Sequence, residues 1–558
     1  MSSIDDRSST VRAQWGFRLA ITLYALVASW ICRFTMNPDG MSYLDVGDQY
    51  WKGNWHAALN SYWSPLYTWL TGLVFRIARP SMRWEFPEVH LLNFIIFVAT
   101  LFCFEFFWRE LLEWRDETSG TGASRKYAWC IGYLLFTYVH FVIHPLSLVT
   151  PDLLVDALVY VISGMMLRFV AAQVNAASAV LFGVLVGVGY LAKAAMLPFG
   201  LLVFVVMFAV AWKRRAGKCW VGIAVLGFLL ISGSFISALS WNNHRFTFGD
   251  SGKMNVAWFV NGFLEQRQWQ DGGTTHTQFQ HPTRKLLDSP KVYEFAVPVA
   301  GTYPVWYDPT YWNAGIDTRM HPLKEMLAFR RNMLDLSEYV FLRTGFVTAA
   351  LLLMFLLSDR RKESRRRLLS LWPIIVPAVA VFLMYAMVFL EPRYFSGDTV
   401  ILWGAVMAST SIEDEEQGEK LSQAASLALA TMVFCLLLPV LISSHRKDEQ
   451  FGEQVALAEQ LHSMGMKKGD HVALMGDGMT AYWAQLDKVE IVAELPQSSQ
   501  AGDSEATFWN ASQDRERSIL NMLEGTGAEE VIANAPPKLM PHGWSRISNT
   551  GYAVYFFR

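Results

Sequence analysis

Eleven apolar runs constrain this chain more than any other feature. They lie near 16–34, 88–108, 127–147, 153–172, 177–193, 195–212, 219–240, 337–357, 369–390, 397–411 and 424–443. Each is long enough, or nearly so, to cross a bilayer as a helix. A bilayer offers no water to free N–H and C=O groups, so such runs must close their hydrogen bonds internally. The expectation is a polytopic α-helical membrane protein of about 11 transmembrane helices. Composition agrees: 17% of the 558 residues are charged, against about 25% in soluble proteins. The net charge of −2 offers nothing to a nucleic acid.

The pattern changes near residue 445. An amphipathic helix over 451–464 ends at Gly465. Strands at 471–478, 489–493, 530–533 and 552–556 then alternate with helices at 479–486 and 513–524. This predicts a small α/β domain over 445–558, behind a membrane domain over 1–444. The turn Gly476-Asp477-Gly478 lacks the third glycine of a dinucleotide fingerprint and the Lys-Ser/Thr of a P-loop. The five cysteines, Cys32, Cys103, Cys130, Cys219 and Cys435, sit in or beside apolar runs with no CxxC pair, and read as small hydrophobes. Residues 1–15 are polar and no small-residue cleavage site follows, so no cleavable signal is expected.

Orientation follows the basic residues. Clusters fall at Arg7/Arg12/Arg18, Arg109/Arg115/Arg125/Lys126, Lys213/Arg214/Arg215/Lys218 and Arg360/Arg361/Lys362/Arg365/Arg366/Arg367. Counting from a cytoplasmic N-terminus puts all four inside. It puts the loops 35–87 and 241–336, the turns 148–152 and 391–396, and the C-terminal domain outside. The count requires 65–80 to be an interfacial helix rather than a span. The acidic segment 413–419 then reads as a solvated cytoplasmic connection. In the 241–336 loop, Trp258, Tyr303, Trp306, Tyr307, Tyr311 and Trp312 could stack on sugar faces or anchor the loop at the interface.

Ionisable residues at span ends are functional candidates. Asp39 follows the first run within Asn37-Pro38-Asp39-Gly40, and Asp152 opens the fourth. Lys193 is a lone cation between two runs, and Arg393 lies in Glu391-Pro392-Arg393-Tyr394. On the expected topology, two carboxylates and two cations face one side. Such a set suits transfer from a lipid phosphate: a carboxylate takes the acceptor proton while cations hold the leaving phosphate. Each also has a plainer reading. Asp39 and Asp152 could be helix N-caps, and Lys193 and Arg393 could snorkel to headgroups. Asp45 and Asp48 read as a solvated helix face. His56, His140 and His144 read as satisfied or interfacial, without a spaced metal-ligand motif.

These short motifs, in this order, resemble the GT-C superfamily of polyprenyl-phosphate-dependent membrane glycosyltransferases. The nearest groups are the protein O-mannosyltransferases and the aminoarabinose transferase of lipid A. The carriers are Asp39-Gly40 with Tyr43, Trp63-Ser64-Pro65-Leu66-Tyr67, Asp152, Lys193, and Glu391 with Arg393 and Tyr394. The family usually has Asp-Glu where this chain has Asp39-Gly40, and glycine beside the lysine where this chain has Ala194.

The resemblance implies a GT-C fold and inverting transfer of a monosaccharide from a polyprenyl-phosphate donor to an acceptor hydroxyl on a glycan, lipid or protein. It places the reaction at the extracytoplasmic face of a bacterial inner or plasma membrane. It implies Asp39 as general base and Asp152 as the acid orienting a sugar. Lys193 and Arg393 would hold the phosphate, with Tyr43, Tyr394 and Glu391 beside the substrate. No cofactor is required on this reading. A divalent metal is possible at the acidic site, though the missing glutamate points away from one. The competing expectations are a glycolipid transporter or flippase, which predicts inverted repeats, and a non-catalytic envelope assembly protein.

Overall fold

The structure, a computed structural model, describes residues 2–118, 124–263, 280–281, 283–295, 300–316, 318–319, 321–358, 360–498, 502–548 and 550–557. Part of the 241–336 loop therefore lies outside the described residues.

Every one of the eleven apolar runs overlaps a helix. Six of these helices are long and apolar enough to cross a membrane: Met82–Thr118, Arg125–Ile143, Asp152–Val170, Met196–Arg214, Lys218–Asn242 and the one through Glu416–Met464. Two bent pairs raise the number to eight. They are Pro322–Arg343 with Gly345–Leu356, bent by 76°, and Arg361–Ser370 with Trp372–Ala386, bent by 73°. Pro373 explains the second bend, because a proline stops the preceding residues from continuing a helix. The remaining runs lie in Ser2–Ile31, in the 17-residue Ala176–Ala192 and in the 14-residue Ser396–Ser409. Among the described residues, length and composition alone thus reach up to eight spans.

Glycine sets the closest helix crossing. A Cβ on Gly183 would stand 1.8 Å from the Ala224 carbonyl oxygen, so only glycine lets Ala176–Ala192 lie against Lys218–Asn242 this closely.

The 35–87 loop folds into helices Pro38–Lys52, Trp55–Ala58 and Pro65–Ala78. The last has 14 residues, about 21 Å at 1.5 Å per residue, too short for a hydrocarbon core of about 30 Å. It crosses Pro38–Lys52 at a glycine contact, where a Cβ on Gly72 would meet the Gly47 oxygen at 2.6 Å.

The C-terminal sheet has the order β1-β2-β4-β3-β6-β8-β7, with β5 paired to β4. The strands are β1 Arg284–Asp288, β2 Lys291–Glu294, β3 His471–Gly476, β4 Glu490–Ser498, β5 Gly502–Asp503, β6 Glu530–Ala533, β7 Trp544–Arg546 and β8 Ala553–Phe556. β3 runs parallel to β4 and to β6, and the other pairings are antiparallel. All four strands expected from the sequence are present. Four more appear: β1 and β2 come from the 241–336 loop, and β5 and β7 from the tail. The residue-445 boundary falls inside one continuous 50-residue helix, Glu415–Met464, that passes from the apolar run to the sheet and ends at left-handed Gly465. At the Gly476 turn, the Gly478 N–H donates to Glu494 Oε1 (3.0 Å), so this amide serves the sheet rather than a phosphate.

Tyr303, Trp306, Tyr307 and Trp312 are buried, and Trp63 donates its indole N–H to the Trp306 carbonyl. Asp45 departs from the expected solvated face. It is half-buried and accepts from the Thr302 N–H (2.7 Å) and hydroxyl (3.0 Å). Burial pushes its pKa up to about 6, with the Thr302 hydrogen bonds pulling it back. Asp48 is partly exposed beside Lys52.

Candidate active site

Proline and the turn chemistry around it place the first acid. Asn37 is the N-cap of Pro38–Lys52, and Pro38 starts the helix, where its missing N–H costs nothing. Asn37 spends its side chain elsewhere: its Oδ1 accepts from the Val149 N–H at 2.8 Å, tying this helix to the turn before Asp152. Asp39 is therefore not the cap. Its carboxylate points to Arg393, whose Nη2 lies 3.2 Å from Oδ2.

Asp152 is not a cap either, since Pro151 holds that position. Its side chain is 3% exposed. Lys193 Nζ stands 2.6 Å from its Oδ1 and the Thr150 hydroxyl donates to Oδ2 at 2.8 Å. Arg393 Nη1 lies 3.5 Å from Oδ2. One buried carboxylate thus holds two cations. Neither cation snorkels: Lys193 ends Ala176–Ala192 with an extended backbone, and its Nζ sits 3.6 Å from the Tyr394 ring centre.

Arg393 lies in the short turn Pro392–Phe395 and joins the set, with Glu391 Oε2 3.8 Å from its Nε. Burial works against its charge, but Asp152, Tyr394, Asp39 and Glu391 more than offset this, and its pKa is raised. Tyr394 packs on Tyr385 at 4.9 Å between centroids. Tyr43 is buried against Trp63 and Tyr67 at 5.0 and 5.2 Å.

Asp39, Tyr43, Asp152, Lys193, Glu391, Arg393 and Tyr394 all line one cavity of about 670 Å³, together with Tyr62, Trp258, Trp306 and Phe389. All seven sequence-derived candidates therefore meet in one place. The acids differ in freedom. Asp152 is enclosed and multiply bonded, whereas Asp39 is 24% exposed and has one ion-pair contact. These donors suit a divalent ion poorly: both aspartates already face a lysine or an arginine, and Gly40 supplies no second acid beside Asp39.

Sequence reasoning missed a second cluster. Asp156, one turn beyond Asp152, faces His144 Nδ1 at 3.3 Å and His140 Nδ1 at 3.6 Å, and all three are buried. His144 is satisfied through Asp156 and Ser396, but His140 Nδ1 has no hydrogen-bond partner among the described residues. The available signal was their i, i+4 spacing, which places side chains on one helix face.

The fold resembles that of solved polytopic membrane proteins. It is similar to ArnT from Cupriavidus metallidurans bound to undecaprenyl phosphate, at TM-score 0.52 and 13% identity over 96% of each chain. The apo state of the same protein gives 0.54 and 13%, over 97% of this chain and 98% of that one. The apo form of the Archaeoglobus fulgidus oligosaccharyltransferase is a looser likeness, at 0.45 and 11% over 93% and 69% of the two chains. No family model and no curated protein sequence matches the chain.

Proposed function

We propose that this chain transfers a monosaccharide from a polyprenyl-phosphate donor to an acceptor hydroxyl, with inversion, in the cavity lined by Asp39 and Arg393. The carrying observation is the meeting of acids from two separate turns with cations from two others, within 2.6–3.5 Å of one another. The ArnT-like fold supports a lipid-phosphate partner.

Asp39 has spare lone pairs and solvent access, so it takes the acceptor proton as the oxygen attacks the anomeric carbon. The bond to phosphate breaks on the opposite face, and the electron pair leaves on the lipid phosphate. Arg393 and Lys193 stabilise that charge, Arg393 with a planar fork and Lys193 as a point charge. Asp152 holds both cations in place. Tyr43, Tyr394 and Glu391 shape the sugar pocket. The reaction lies at the extracytoplasmic face, with a cytoplasmic N-terminus and residues 445–558 as an outer α/β cap over a membrane domain of residues 1–444.

The test is Asp39→Asn in purified, folded protein. Turnover should fall by about 10²–10⁴, and lipid-linked sugar should accumulate in cells carrying the variant. Undiminished turnover rules out the base.

A further inference from the structure

We infer that His140, His144 and Asp156 form a buried site for a divalent transition metal of the zinc type, separate from the cavity. Ser396 Oγ donates to Asp156 Oδ2 at 2.6 Å and lies 3.4 Å from His144 Nδ1, bracing the set from a third segment.

Three independent observations carry this. The first is spacing. Tetrahedral zinc with bonds of about 2.0–2.1 Å places its ligand atoms about 3.3–3.4 Å apart. The separations of Asp156 Oδ2 from His144 Nδ1 and His140 Nδ1, 3.3 and 3.6 Å, approach that edge length.

The second is an orphaned nitrogen. His140 is fully buried and its Nδ1 makes no hydrogen bond, while its Nε2 lies 3.0 Å from the Tyr160 hydroxyl. A ligating histidine characteristically engages its other nitrogen in this way. Asp156 is oriented in the same manner, its Oδ1 accepting from the Gly397 N–H at 2.8 Å. The π-helical turn Val139–Ile143 carries His140, and such turns favour functional positions.

The third is charge. Asp156 and Asp398 are 2% and 3% exposed, and Asp398 Oδ1 has no hydrogen-bond partner. Among the described residues no lysine or arginine pairs with either. Buried carboxylates without a cation are costly, and a doubly charged ion answers that of Asp156.

The donor set is enclosed, as structural zinc sites are. It joins three segments: the turn ending at His144, the Asp152–Val170 helix, and the start of Ser396–Ser409. The last begins three residues after Arg393. The ion would therefore fix the turn that presents Arg393 to the cavity.

The test uses full-length protein purified in detergent without added metal. Elemental analysis should find about one zinc per chain in the wild type and in Asp39→Asn. It should find a several-fold loss in His140→Gln and Asp156→Asn. Stripped wild-type protein reloaded with Co²⁺ should show the visible bands of a tetrahedral site, which keeps the proposal testable if a variant fails to fold. Metal-free wild type that develops no cobalt band overturns it, leaving Asp156 as a hydrogen-bond anchor. So does zinc retained in folded His140→Gln, or lost in Asp39→Asn.

Discussion

Replacing Asp152 with asparagine separates two roles for the same charge. In the wild type this carboxylate faces Lys193 at 2.6 Å and Arg393 at 3.5 Å, almost out of solvent. The asparagine keeps the shape but leaves two cations sharing a buried corner. Breaking a buried pair in this way costs about 3–5 kcal/mol. Lys193 and Arg393 side chains are 22% and 15% exposed toward the cavity, so water recovers part of that and about 2–3 kcal/mol remains. Asp152→Asn protein should therefore melt several degrees below wild type in detergent. A polyprenyl phosphate, carrying a charge of about −1.5 to −2 at neutral pH, should then restore the missing anion. The lipid should raise the variant's melting temperature more than the wild type's. The assay is thermal unfolding with and without undecaprenyl phosphate, with undecaprenol as the uncharged control. A variant as stable as wild type, or one that responds equally to the alcohol, refutes the assignment of these cations to a phosphate.

Other expectations follow from the same contacts. Asp39→Asn, losing a single 3.2 Å contact on a partly exposed side chain, should cost under about 1 kcal/mol of stability, checked by thermal unfolding. Arg393→Ala should weaken donor-lipid binding more than acceptor binding, measured by separate titrations, since a planar fork is lost. Gly72→Ala forces a Cβ against the Gly47 oxygen and the Trp51 ring, and should destabilise by about 1–3 kcal/mol while lowering turnover through displacement of the Asp39 helix. Asp487 is buried, neither of its oxygens hydrogen-bonded among the described residues, and burial, with Glu85 and Asp470 nearby, pushes its pKa from 3.8 up to about 8. Its favourable contribution is therefore complete below pH 3.8 and lost as pH rises through about 8. Asp487→Asn should gain on wild type in melting temperature between pH 5 and pH 9, and identical pH profiles would count against the shift.

The readable parts of this molecule are those governed by local periodicity. All eleven apolar runs became helical because hydrophobic length needs no partner to declare itself. Four of the tail strands, β3, β4, β6 and β8, were legible through alternation and glycine punctuation, whereas the short β5 and β7 were not. Strands β1 and β2 were not, since Lys291–Glu294 becomes a strand by pairing with Glu490–Ser498, some two hundred residues on, and Arg284–Asp288 by pairing with Lys291–Glu294 in turn. Asp39 and Asp152 stood out because charge at a span end is expensive. Asp156 did not, because inside an apolar helix its meaning depends on His140, His144 and Ser396 arriving from other segments. The cap reading of Asp39 gave way to Asn37, whose side chain reaches across to Val149, a contact no local rule foresees.

The sheet's divided ancestry has a practical consequence. β4 takes β2 on one side and β3 on the other, and the loop that supplies β2 also clasps Asp45 through Thr302. Severing the chain near residue 444 would therefore not release a finished module. It would bare a raw edge on each fragment, invite clumping of both, and slacken the helix that begins at Pro38. Anyone transplanting this cap onto a relative must carry residues 283–303 along with it.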